Sequence, residues 1–261
     1  MKPPEFVNDA LGSLGLAGEF RCSNVAAGRA EAWAYVINGD RALRLWTELQ
    51  HRAPPDWWPL IVGDESSECR LGDIADTCQA TVRELVAEAS GLAGEKCFHR
   101  WAERHSELAI LAGIRDEMEI DPAQVAEELA EHRDSWDGIV LARDPHTKAP
   151  RSTVLVVLRT NGEQATVPAI LGWGGGNDCP RPVEQVAVLR YWHEQYGAVI
   201  AGLSADMFIE LRPSRRPADV NGAIALALQQ CLYCPEIRSV GPLAPFAAAL
   251  MRDSDWVFWW D

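Results

Sequence analysis

The stretch Gly172-Trp-Gly-Gly-Gly-Asn-Asp-Cys-Pro-Arg-Pro182 puts three consecutive glycines, a cysteine and an arginine directly ahead of a segment with helical character, Val183–Tyr196. Two chemistries are open to it. Gly174, Gly175 and Gly176 can expose backbone N–H groups and, with the dipole of the following helix and the charge of Arg181, hold a phosphate or carboxylate. Cys179 stands where the same dipole would lower a thiol pKa and make a nucleophile. Against both, the stretch matches neither Gly-x-x-x-x-Gly-Lys-Ser/Thr nor Gly-x-Gly-x-x-Gly, and no cofactor is expected. Pro180 and Pro182 also remove two of the N–H donors an anion site would use. A hinge in which the glycines supply positive φ and close backbone approach explains the same residues and is the preferred reading. The nearest base downstream, His193, lies eleven residues beyond Pro182, roughly 16 Å along an unbroken helix, too far to activate Cys179. It shares a helical face with Val186, Leu189 and Tyr196 and reads as a packed or hydrogen-bonded core histidine.

Cys231-Leu-Tyr-Cys234 has the spacing of a redox or zinc pair. A redox pair needs its attacking thiolate at a helix N-terminus, whereas this one closes a helix, where the dipole destabilises the anion. A zinc site would need Cys179 as a third ligand and a fourth that no second Cys-x-x-Cys or His pair supplies. No metal is therefore expected, with Cys179, Cys231 and Cys234 as the alternative ligand set. The seven cysteines are odd in number and scattered, which points to reduced thiols rather than a secreted disulfide scaffold.

Charge is more informative. The chain carries −14 overall, of which residues 64–137, with 19 acidic and 7 basic side chains, account for −12. Such a field repels nucleic acid and anionic membrane and suits a basic partner protein. Within it, "RDEMEIDP" gathers Asp116, Glu117, Glu119 and Asp121 without the spacing of an EF-hand loop. These carboxylates read either as a solvated face or as a surface that docks a basic protein, with Trp57, Trp58 and Trp173 as aromatic anchors. The N-terminus lacks a basic segment followed by an apolar one, and no apolar run approaches the roughly 18 residues that span a bilayer, so a cytoplasmic location is expected.

The elements that must position these residues fall into two regimes, with a boundary near Trp136. Residues 1–136 read as an acidic, helix-rich region with short strands at Glu19–Cys22 and Glu31–Ile37 and a strand in "DWWPLIVGD" that opens at Trp58-Pro59 and runs through the apolar Leu60–Val62. Helices are expected at Arg41–His51, capped by Asp40, and at Ile74–Ala89, Glu95–Leu111 and Pro122–His132, the last capped by Asp121. Residues 137–261 read as alternating strands and helices. The strands are Gly138–Arg143, Thr153–Thr160, Ala165–Leu171, Ala198–Leu203, Met207–Arg212 and Trp256–Trp260, and Asn161-Gly162 marks a hairpin. Helices follow the glycine loop and run from Pro217 to Leu232 and from Leu243 to Met251. The order predicts an α+β fold, a mostly antiparallel sheet with helices packed on one face. The near-continuous apolar run of Trp256–Trp260 predicts an internal strand.

The ordered motifs "GWGGGNDCPRP", "VAVLRYWHEQYG", "CLYCPEI" and "WVFWWD" resemble the bacterial family known as domain of unknown function 4253, over roughly the last 110 residues, and "WPLIVGD" is similar to a segment often found upstream in such proteins. The resemblance implies no established reaction and carries over no catalytic residue. The family's loop order Gly-Gly-Trp-Asn is replaced here by Trp173-Gly-Gly-Gly-Asn177. Each enzymatic constellation fails on geometry or count, so the expected function is a non-enzymatic protein-binding module, immunity- or antitoxin-like, that docks a basic partner. The alternative is an enzyme acting on a small anionic substrate at the Gly172–Pro182 loop with Cys179 as nucleophile.

Overall fold

A computed structural model describes residues 3–16, 22–27, 30–64, 80–112, 120–131, 138–144, 146–205 and 207–261, the side chains of 22–27 and 105–112 aside. Seven strands form one sheet: β1 (Cys22–Ala27), β2 (Ala30–Asn38), β3 (Trp57–Gly63), β4 (Ser152–Arg159), β5 (Val199–Ser204), β6 (Phe208–Arg212) and β7 (Trp256–Trp259), in the order β1-β2-β4-β3-β5-β6-β7. Every pair is antiparallel except β3 with β5, which meet in parallel at Ile61 and Gly202. The class is α+β with a mostly antiparallel sheet. β3 comes from the first half of the chain and lies between two strands of the second, so the N-terminal region continues the same sheet.

The centre of the sheet is dictated by β4, whose residues Thr153–Leu158 are all buried. Val154, Val156 and Leu158 face one core while Leu155 and Val157 face another, as the two-residue period of a strand requires. The larger helical layer covers the first face: α4 (Gly94–Ala112), α7 (Pro182–Tyr196), α8 (Val220–Tyr233) and α10 (Leu243–Leu250). The opposite face is covered by α1 (Glu5–Ser13) and α2 (Gly39–Arg52), through Val7, Leu11, Leu45, Trp46 and Leu49. The remaining helices are α3 (Val82–Ser90), α5 (Pro122–Glu131), the short α6 (Val167–Leu171) and α9 (Ile237–Val240).

Several local expectations are corrected. Asn38, not Asp40, caps α2, its side chain accepting from the Asp40 N–H at 3.4 Å. Gly138–Arg143 is not a strand; its centre, Val140–Ala142, is a 3-10 turn whose first N–H groups are taken by the buried Glu210 carboxylate. Ala165–Leu171 is also helical: after Asn161-Gly162 the chain enters a 3-10 turn at Gln164–Thr166 and then α6, with Pro168 in its first turn, where a missing N–H costs nothing. β7 is an edge strand, paired only with β6. Its apolar run alternates: Trp256 and Phe258 are buried while Val257 and Trp259 are half-buried. One face of an edge strand therefore accounts for it, and the Cys234 thiol donates to the Trp259 carbonyl at 3.1 Å.

That face belongs to an aromatic cluster. Trp192 stacks on Phe258 at 5.5 Å and 11°, and Tyr233 meets Trp192, Phe258 and Trp260 edge-on at 5.0, 4.9 and 5.2 Å. Edge-to-face and offset geometries are those the ring quadrupole favours. Much of the tryptophan load is thus core: Trp33, Trp46, Trp173, Trp192, Trp256 and Trp260 are all buried.

Candidate functional site

The glycine loop joins α6 to α7 and is first of all a hinge. Gly172, Gly174 and Gly175 have φ of 65°, 109° and 86°. A Cβ on Gly174 would lie 2.4 Å from the Pro180 carbonyl oxygen, so both conformation and space demand glycine there. The Gly175 N–H is shared between the Cys179 and Pro180 carbonyls at 3.1 Å each, and the Cys179 N–H donates to Gly176 at 2.8 Å. Those two amides are spent closing the loop and are unavailable to a ligand.

The helix N-terminus that follows holds an anion of its own. Glu184, 8% exposed, accepts from the Arg181 N–H at 3.0 Å and is paired with the Arg181 guanidinium at 3.5 Å and with Arg100. An acidic side chain at this position satisfies an orphan donor and complements the positive end of the helix dipole.

Cys179 is not an activated thiol. It is buried, and burial pushes its pKa up to about 12, against the hydrogen bonds of the Gly175 N–H and the Gln185 amide, the latter 3.2 Å from Sγ. The expected lowering by the dipole fails because desolvation of a thiolate outweighs it. His193 stands in the last turn of α7, far from Cys179. It is exposed rather than packed in the core, its Nδ1 3.1 Å from the Ala198 carbonyl oxygen. Cys231 and Cys234 are buried free thiols, as are Cys97 and Cys179. Burial raises Cys231 to about 11 and Cys234 to about 12. Among the described residues no three His, Cys, Asp or Glu side chains are placed to hold a metal ion.

Around the loop the structure gathers residues that the motif alone does not reveal. A cleft of about 530 Å³ is floored by Cys179, Pro180 and Cys231 and walled by Arg100, Trp101 and Arg104 of α4, by Arg181, and by Leu232, Pro235 and Arg238 at the α8–α9 junction. Gly175, Asp178 and Glu184 complete its rim. Four arginines thus face two carboxylates in a chain whose net charge is −14. Their convergence depends on the close approach of α4 to α7, since a Cβ on Gly94 would lie 2.5 Å from the Tyr191 Cβ. Arg104 has no hydrogen-bond or ion-pair partner among the described residues. In the sequence the corresponding signal is Arg100-Trp101 and Arg104, an i,i+4 pair of cations on an otherwise acidic helix.

The other candidate residues disperse. Trp173 is fully buried, its Nε1–H donating to the Ser204 carbonyl at 2.9 Å and its ring edge-on to Trp260 at 5.8 Å, so it anchors the core and not a partner. Trp57 and Trp58 are half-buried and line a second cleft of about 390 Å³ with Pro54, Pro55 and His193. The Trp58 Nε1–H is used by the Ile200 carbonyl at 2.8 Å, and the Arg159 guanidinium sits 6.0 Å from the Trp57 ring centre. Asp116, Glu117 and Glu119 lie outside the described residues. Asp121 is exposed and caps α5 through the Ala123 N–H at 2.9 Å. Among the described residues no helix is long and apolar enough to cross a membrane.

No curated protein and no solved structure matches the chain. Residues 155–261, which supply the loop, Arg181, Glu184 and Arg238 but not Arg100, Trp101 or Arg104, match the family described as Domain of unknown function (DUF4253).

Proposed function

We propose that the protein is a non-enzymatic binding protein that holds an anionic ligand in the cleft between α4, the glycine loop and the α8–α9 junction. The observation that carries this reading is the convergence of Arg100, Arg104, Arg181 and Arg238, from three separate parts of the chain, on one concave site in an acidic protein. Arginine's planar fork suits oxyanions, and a concave site in which four arginines outnumber two carboxylates attracts an anion. The non-enzymatic part rests on Cys179, whose buried thiol is held protonated and accepts a hydrogen bond from the Gln185 amide, with no base paired to it among the described residues. Calorimetric titration of the full chain with inorganic pyrophosphate at low salt tests the reading. Saturable binding is expected, weakened about tenfold by Arg104→Ala, the worth of one charged hydrogen bond. No binding, or binding indifferent to Arg104→Ala and Arg181→Ala, overturns it.

A basic protein partner, as an immunity- or antitoxin-like role would require, is a second reading. It is favoured by the −12 carried on residues 64–137. Among the described residues Val240 is the exposed large apolar side chain, so charge would have to dominate such an encounter. Capture of a basic protein at low salt, released by salt, supports it; capture that persists unchanged at high salt contradicts it.

A further inference from the structure

Glu184 already occupies, as part of the chain, the place in the cleft that a ligand's oxyanion would take. It is buried, and the arginines that hold it, Arg100 and Arg181, are two of the four cations of the site. A singly charged ligand that displaces it exchanges one carboxylate for another. It gains no charge pairing and leaves Glu184, only 8% exposed, without the arginines that hold it, which is costly. A group with two negative charges can engage Arg104, which has no partner among the described residues, and still leave Glu184 one of its arginines. The cations are all arginines, whose fork geometry is suited to the several oxygens of a phosphate.

The cleft is also larger than an anionic group alone needs. At about 530 Å³ it lies in the range of sites for drug-sized ligands. Beside the arginines the lining is apolar at Trp101, Leu232 and Pro235, and its flat member is Trp101, on α4 between Arg100 and Arg104. This half-buried indole is held by Phe98 at 5.7 Å and 74° and by Tyr233 at 6.3 Å and 51°. A ring fixed from behind with an exposed part is a stacking platform.

We infer that the cleft selects a phosphate monoester carried on a flat ring, of the size of a nucleoside monophosphate, and that Glu184 is the built-in competitor that excludes monoanions. This rests on the anion-binding reading above. Four probes distinguish the two by calorimetry with the full chain at low salt and pH 7.5: phenyl phosphate, adenosine 5′-monophosphate, inorganic phosphate and benzoate. The two ring phosphates are expected to bind at least about tenfold more tightly than benzoate, one charged hydrogen bond's worth, and more tightly than inorganic phosphate. Glu184→Gln keeps an acceptor for the Arg181 N–H and should bring benzoate to within a few-fold of phenyl phosphate. With the unsubstituted chain, lowering the pH to 5 should weaken the ring phosphates selectively as the monoester, with a second pKa of about 6, becomes a monoanion. Equal binding of benzoate and phenyl phosphate at pH 7.5 refutes the selectivity and leaves the anion site standing. Ring phosphates no tighter than inorganic phosphate refute the role of Trp101. If no probe binds either protein, the anion-binding reading itself falls.

Discussion

Glu210 offers a test of the interior that does not depend on any ligand. It sits fully buried on β6, its carboxylate accepting from the Val140 N–H at 2.9 Å and the Leu141 N–H at 3.4 Å. Nearby, Asp255 is paired with Arg212 at 3.2 Å. Burial, then the neighbouring Asp255 charge, push Glu210 up from 4.5 to about 8, against the pull of the two amides and Arg212. The native state therefore holds this proton more tightly than the unfolded chain. Stability is full below about pH 4.5 and falls as pH rises toward 8, with a limiting slope of about 1.4 kcal/mol per pH unit. Between pH 6 and pH 8 the loss from this group is about 2 kcal/mol. Glu210→Gln keeps an acceptor for Val140 and removes the titration. Urea unfolding followed by tryptophan fluorescence at pH 6, 7 and 8 should show the variant gaining about 2 kcal/mol on the unsubstituted chain across that interval, other groups cancelling in the comparison. Parallel pH dependences for the two proteins would refute the assignment.

Other expectations concern the loop, the core and the sheet. Trp173→Ala should cost about 3–5 kcal/mol in chemical denaturation, as loss of a buried indole does, while leaving anion affinity in the surviving folded protein unchanged; weakened binding with unaltered stability would return Trp173 to the role of anchor. Gly174→Ala should destabilise, because its Cβ meets the Pro180 carbonyl at a φ of 109°, and a variant as stable as its parent contradicts the loop geometry. Alkylation of Cys179 at pH 7.5, mapped by peptide mass, should be slow in the native protein and fast in urea; rapid native labelling would restore the nucleophile. A fragment of residues 155–261 lacks β3, which separates β4 from β5, so its thermal melt should show no cooperative transition.

The sequence made the periodic elements legible and the irregular ones not. α4, α5, α7 and α8 declare themselves through amphipathic or capped segments, Asp121 and Pro122 among the clearest signals, and the β5–β6 hairpin is legible in its strands. Ala165–Leu171 misled because a short apolar run reads equally as strand or buried helix; Pro168, which no central strand accommodates, was the discriminating residue. The edge position of β7 was hidden because five aromatic or branched residues look doubly buried when only alternate ones are. In the site, the loop, Cys179 and Arg181 were visible as local motifs. Arg100, Arg104 and Arg238 were not, since only the packing of α4 on α7 and the turn after α8 bring them to the same cleft. Glu184 could have been found, three residues after the cap position and in the place of a capping-box acid.

The convergence of arginines is tested most directly by observing them. Side-chain Nε–Hε resonances of the labelled full chain, assigned by single Arg→Lys substitutions, can be followed during titration with phenyl phosphate. The anion-binding cleft predicts saturable shifts confined to Arg100, Arg104, Arg181 and Arg238, while Arg159 and Arg190, which lie elsewhere and are paired with Asp56 and Glu163, stay fixed. Shifts that are absent, fail to saturate, or fall equally on Arg159 and Arg190 would contradict it.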